Sequence, residues 1–84
     1  MTGENLMNAL IKCCYYVLMH NPKLKSDYAR SCAFTIAECA SRGYITTINI
    51  SGEAQDFWMV TLKGFKMLEE QRKNSDESLQ KHLN

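Results

Sequence analysis

Arg42-Gly43-Tyr44-Ile45-Thr46-Thr47-Ile48-Asn49-Ile50 is the stretch in which the periodicity of this chain changes. Before it, apolar residues recur at helical spacing. Within it, β-branched and aromatic residues follow one another, as suits a strand. Gly43 has the position of the residue just past a helix end. Tyr44 then takes the next place, from which an apolar side chain packs back on the last turn. Downstream, Ser51-Gly52-Glu53-Ala54-Gln55-Asp56 reads as a turn and Phe57-Trp58-Met59-Val60 as a returning strand. Together they predict a β-hairpin.

Working outward, the helix that ends at Arg42 is predicted to begin at Ser26, a good N-cap, with Asp27 in its first turn to suit the helix dipole. Its buried stripe is Tyr28, Ala29, Cys32, Ala33, Ile36, Cys39 and Ala40. The small members of that stripe permit close approach to a first helix, about Glu4 to His20. That helix has Thr2 as a candidate cap. It places Leu6, Met7, Leu10, Ile11, Cys13, Cys14, Val17 and Leu18 on one arc, with Asn8, Lys12, Tyr15 and Met19 opposite. Asn21-Pro22 ends it, because the residue before proline disfavours the α region. Lys23-Leu24-Lys25 is a short connection. After the hairpin, Thr61 can cap a helix from Leu62 to about Lys73, with Leu62, Phe65 and Leu68 on its buried side. Gly64 weakens that helix by about 1 kcal/mol relative to alanine, which implies a packing reason for it. Residues 74–84 are polar. Leu79 and Leu83 are spaced for a weak helix, but the segment reads as a flexible tail after a single domain spanning 1–73.

The order helix, helix, hairpin, helix, with Arg42-Gly43-Tyr44-Ile45 entering the hairpin and Val60-Thr61-Leu62-Lys63-Gly64 with Leu68 leaving it, resembles the back half of a winged-helix domain. The resemblance covers about Ser26 to Gln71. It implies an α+β fold of two N-terminal helices, a β-hairpin wing and a C-terminal helix. A helix-turn-helix also needs two short helices before the wing. Pro22 to Ser26 leaves room for little more than a turn. The first helix of that pair is expected to be missing or squeezed into one turn near Lys23-Leu24-Lys25.

At 84 residues and 9.6 kDa the chain is one domain at most, yet 45% of it is apolar, enough for one core. That composition excludes disorder of the whole chain. Lys12 and His20 interrupt the longest apolar runs, so no membrane span is expected. Ten basic against nine acidic residues give a net charge of +1, which argues against binding a polyanion by bulk attraction. The start, Met1-Thr2-Gly3-Glu4-Asn5, is polar and acidic rather than basic, unlike a secretory signal. The four cysteines lie on helical faces, so the chain reads as cytoplasmic with four free thiols acting as small buried hydrophobes.

No motif points to catalysis, a metal or a cofactor; there is no C-x-x-C, no glycine-rich phosphate loop and no paired carboxylates in a cleft pattern. The chain reads as a non-enzyme. On the outer face of the second helix lie Arg30, Phe34, Ala37, Glu38 and Ser41. Major-groove reading favours Arg, Lys, Asn or Gln there, whereas an aromatic beside an arginine favours a protein partner. Tyr15, Tyr16 and Met19 on the first helix, and Met67 on the last, are further large side chains expected to be wet. The expected partner surface is therefore Tyr15, Tyr16, Met19, Arg30, Phe34 and Glu38, with a homodimer through the first helix as its simplest form. DNA is the alternative: a dimeric regulator could contact phosphates through Lys23, Lys25, Arg30, Lys63 and Lys66. The wing turn, with Glu53 and Asp56 and no base, is poorly suited to a minor groove. Size and character suit a small accessory protein of the kind carried by phages and bacteria.

Overall fold

The computed structural model describes the backbone of residues 3–83 and the side chains of residues 6–73. The elements are α1 (Gly3–His20), α2 (Asp27–Ser31), α3 (Ala33–Ser41), β1 (Ile45–Ile48), β2 (Ala54–Val60) and α4 (Leu62–Leu83). This is a small α+β domain. Thr2, the expected cap of α1, lies outside the described residues.

Helix α1 ends where Asn21 turns into the left-handed region (φ 45°), its N–H still reaching the Val17 carbonyl at 2.9 Å. Asparagine tolerates that conformation better than most residues, and Pro22 prevents continuation. The next helical segment starts as expected. The Ser26 hydroxyl accepts from the Ala29 N–H (3.2 Å) and donates to the Lys23 carbonyl (2.7 Å).

The single helix expected over 26–42 is instead two. Cys32 sits at φ −111°, ψ 27°, outside helical values, and separates α2 from α3. Ser31 and Cys32 are both middling helix formers, so little is lost by a break there. Ala33, expected in the buried stripe, is turned out. Helix α3 then closes on Gly43 (φ 79°). The Gly43 N–H bonds the Ala40 carbonyl (3.0 Å) and the Tyr44 N–H the Cys39 carbonyl (2.9 Å), the paired closure read from Arg42-Gly43-Tyr44.

The hairpin is antiparallel, with Ile45 opposite Val60, Thr46 opposite Met59 and Ile48 opposite Ala54. The register shifts between Thr46 and Ile48, where β2 carries extra residues. There β2 turns its hydrogen bonds to a third segment. Leu24 N–H reaches the Asp56 carbonyl (2.8 Å), Trp58 N–H reaches the Pro22 carbonyl (2.9 Å), and Lys23 pairs with Phe57. The Asn21 side chain donates to the Trp58 carbonyl at 3.1 Å. The connection 22–24 is thus a strand-like edge. The turn expected over 51–56 is shorter than that, since β2 begins at Ala54.

The core lies between α1 and the rest. Leu10, Cys13, Cys14 and Val17 from α1 meet Ala29, Ile36, Cys39, Ile45, Met67 and Leu68. Full burial of Leu10 and Val17 contributes about 2–3 kcal/mol each. Two expectations are corrected here. Leu18, placed on the buried arc of α1, is exposed, because α4 covers that edge incompletely. On α4 the buried residues are Met67 and Leu68, while Leu62 and Phe65 are exposed. The rotation is imposed by Gly64, whose Cα lies so close to the Tyr44 carbonyl that a Cβ would overlap that oxygen. Contact at Gly64 brings the 64, 67, 68 side of α4 inward. The backbone of α4 continues past Lys73 to Leu83, so the segment read as a flexible tail is helical in its backbone.

Candidate functional site

The outer face of α3 is the first surface of interest. Phe34 stands near the helix start and is 66% exposed. Arg30, on α2, is also exposed, and Glu38 is half-buried. Glu38 is engaged within its own helix end, its carboxylate 3.6 Å from Arg42. An exposed pair of this kind contributes only a few tenths of a kcal/mol, about 0.3–0.5. It nonetheless offsets the negative charge of Glu38 on this face.

The basic residues separate into two groups. Lys23 and Lys25 line a cavity of about 310 Å³ with Leu24 and Asp56. Asp56 therefore belongs to the strand beside these lysines and not to the hairpin turn, which leaves Glu53 as the acid at that turn. Lys63 and Lys66 line a groove of about 420 Å³ with Tyr44, Leu62, Met67 and Glu70. The Lys63 ammonium sits 5.8 Å from the Tyr44 ring centroid, a cation–π distance. The first group adjoins the start of α2 and the second the end of α3. The fold brings each pair of lysines together but places the two pairs in separate hollows.

The expected α1 surface is divided as well. Tyr16 stacks on Tyr28 of α2, ring centroids 3.6 Å apart and planes 14° apart, with His20 at 4.4 Å on the Tyr16 ring. Its ring face is committed to holding α2 on α1. Tyr15 and Met19 are free of such a role, Met19 at 73% exposure. Sequence reasoning missed the residues that complete this surface. Tyr15 and Leu18 line an apolar hollow of about 130 Å³ with Phe65, Leu68, Glu69 and Arg72 of α4. The signal that could have found it was the excess of apolar residues on α1, whose wheel carries more large side chains than one partner helix can cover. Met67, expected among the wet residues, is in the core.

The thiols form a buried cluster. The Cys14 and Cys39 sulfurs lie 3.9 Å apart, and the Cys39 thiol donates to the Leu10 carbonyl at 3.7 Å. All four cysteines are free, with Cys32 half-buried. The Cys39 contact, then burial, push the Cys13 thiol well above the ordinary range. The contact with Cys39 holds Cys14 below it. Cys39 itself is lowered by Cys13, but Cys14 and burial outweigh that and leave it at about 12. Burial first, then Cys13, push the Tyr28 hydroxyl up. Cys13 and Cys39, raised in this way and packed among apolar groups, are poor nucleophiles. Among the described residues, no group of three or more His, Cys, Asp or Glu side chains is disposed to hold a metal ion, and no helix is long and apolar enough to cross a membrane.

No family model, curated protein or solved structure matches this chain significantly.

Proposed function

We propose that this chain is a small, non-enzymatic winged-helix-like protein of the cytoplasm that binds and modulates a protein partner through the outer face of α3. The observation that carries the reading is the exposed Phe34, at 66%, one turn from Glu38 on α3, with the exposed Arg30 on the preceding α2. Exposed aromatic residues, with arginine, are enriched among the anchors of protein interfaces. The same face offers Ala33, Ala37 and Ser41, which let a partner backbone approach closely. The element order supports a winged-helix-like reading. The break at Cys32, which leaves two short helices before the hairpin, is in keeping with that reading, as is the bridge between the 22–24 edge and β2. An accessory role of the kind found in phages and bacteria is in keeping with a sequence in which no catalytic motif was found.

The second reading, a dimeric DNA-binding regulator, rests on Lys23, Lys25 and Arg30 at the start of α2. It is placed second because Lys63 and Lys66 occupy a different hollow, so one chain offers a DNA backbone only a short basic patch. Affinity capture from bacterial lysate with wild type, Phe34→Ala and Lys25→Glu/Arg30→Glu, run beside a duplex-DNA retardation assay over a salt series, tests both. The expected result is a partner captured by wild type and by the charge-reversed variant and lost with Phe34→Ala. DNA retardation that falls steeply with salt and vanishes with Lys25→Glu/Arg30→Glu would replace the first reading with the second.

A further inference from the structure

Two sulfurs in the core face each other across the α1–α3 contact. Cys14 of α1 and Cys39 of α3 are both fully buried, and their Sγ atoms lie 3.9 Å apart. The Cys39 thiol also reaches the Leu10 main-chain carbonyl at 3.7 Å, so this turn of α3 lies directly against the backbone of α1. A disulfide bond is about 2.05 Å long, which leaves a gap of about 1.9 Å. Stepping between staggered χ1 positions moves a cysteine sulfur by about 3 Å, so two side chains can close that gap. The other thiols are less well placed. Cys13 contacts Cys39 too, but it is also tied to the Tyr28 hydroxyl, and Cys32 contacts Tyr28. Neighbours Cys13 and Cys14 diverge by about 100° around α1 and cannot join each other without unwinding it.

We propose that Cys14 and Cys39 form a modification site, a dithiol that a small hydroperoxide converts into a disulfide joining α1 to α3. Cys14, the thiol held below the ordinary range by its neighbour, is the attacking group. Its sulfur bonds to the outer oxygen of the hydroperoxide and the O–O bond breaks. The other oxygen takes up the thiol proton and leaves as an alcohol, or as water when the oxidant is hydrogen peroxide. Cys14 is then a sulfenic acid. The Cys39 sulfur attacks it, its proton passing to the departing hydroxyl, which leaves as water, so no free Cys39 thiolate is needed. Two thiols and one hydroperoxide thus give one disulfide, one alcohol and one water. Two electrons pass from the sulfurs to the O–O bond. Because both sulfurs are buried, the reaction waits on local opening of α1 from α3 and favours the smallest oxidant. The bond closes a loop from residue 14 to residue 39, which restricts the unfolded chain. Phe34, on the outer side of α3, takes no part.

The test is treatment of the folded chain with hydrogen peroxide, alkylation of the remaining thiols, and mass spectrometry of a non-reduced tryptic digest. Trypsin cuts after Lys12, Lys23, Arg30 and Arg42, so the expected product is peptide 13–23 linked to peptide 31–42. Each of these peptides holds two cysteines, and variants assign the pair. Cys13→Ala and Cys32→Ala are expected to form the link at the wild-type rate, and Cys14→Ala and Cys39→Ala to lose it, with circular dichroism melts to show that each variant folds. Oxidised wild type is expected to melt about 10 °C above the reduced chain and to return to the reduced value with dithiothreitol. Oxidation in urea, where the thiols lose their fixed neighbours, is expected to give mixed pairings instead. Wild-type peptides 13–23 and 31–42 that stay unlinked, or that only gain oxygen, overturn the proposal. So does a link lost in Cys13→Ala or formed at the wild-type rate in Cys14→Ala, or an oxidised chain that melts no higher than the reduced one.

Discussion

The two sides of α3 invert the usual distribution of side chains. Its inner side meets α1 through Cys39 and Ile36, and the neighbouring contacts on α1 are Cys13 and Cys14. Its outer side carries Phe34 in water. Among the described residues, the largest fully buried side chains are Leu10, Val17, Cys13, Cys14 and Cys39, none of them aromatic. Small apolar residues let two helices approach closely, and the helix pair then leaves no volume for rings. The inner side therefore serves stability, and the outer side is available for binding.

That contrast can be broken from the inside first. Leu10→Ala leaves a cavity at a fully buried site and is expected to destabilise the domain by about 4 kcal/mol in urea titration. Gly64→Ala drives a methyl group into the Tyr44 carbonyl, and backbone cannot step aside as a side chain would. A loss of about 3 kcal/mol is expected despite the gain in helix propensity, read as a lowered melting temperature. Thr61→Ala removes a helix cap and is expected to cost about 1.5 kcal/mol.

The thiols add a pH dependence. Cys39, at about 12 when folded and 9.0 otherwise, keeps a proton that the unfolded chain gives up. The unfolded state then binds fewer protons, so this contribution is fully present below pH 9 and is lost as pH rises toward 12. Melting temperature is expected to fall across that window, and less steeply in Cys39→Ala. On the outer side, Phe34→Ala is expected to change stability by no more than about 0.5 kcal/mol while abolishing partner capture. A large loss of stability there would mean that the ring is structural and would end the contrast.

The helix ends and the hairpin were legible because single residues signal them. Ser26, Gly43 and Pro22 act through local geometry, and each works as read. Gly64 was legible as an oddity, and the Tyr44 carbonyl explains it. What escaped the sequence depends on contacts between distant segments. Pairing of 22–24 with β2 is a matter of backbone hydrogen bonds, to which the side chains of Lys23 and Leu24 give no clue. The rotation of α4 is set by one close approach, so a wheel that grouped Leu62 and Phe65 with Leu68 was right for Leu68 alone and off by about 100° in direction. At the surface, Phe34 and Met19 could be recognised as surplus on their own helices. The hollow beside Met19 could not, since it needs two helices to form. Tyr16 shows the reverse case, a ring that looked surplus until α2 supplied Tyr28 to stack on it.

Thr61 has a role beyond capping α4. Its hydroxyl lies 2.6 Å from the Gly43 carbonyl and 3.1 Å from the Tyr44 carbonyl, and it accepts from the Gly64 N–H at 3.0 Å. Its own N–H bonds the Tyr44 carbonyl at 2.9 Å. One side chain thus ties the exit of α3, the entry of the hairpin and the start of α4 into a single knot. In hydrogen-exchange terms, the amides of Thr61 and Gly64 should open together with that of Tyr44, as one cooperative unit. The hairpin and the last helix then have no independent unfolding of their own, and whatever loosens either one loosens the end of α3 as well.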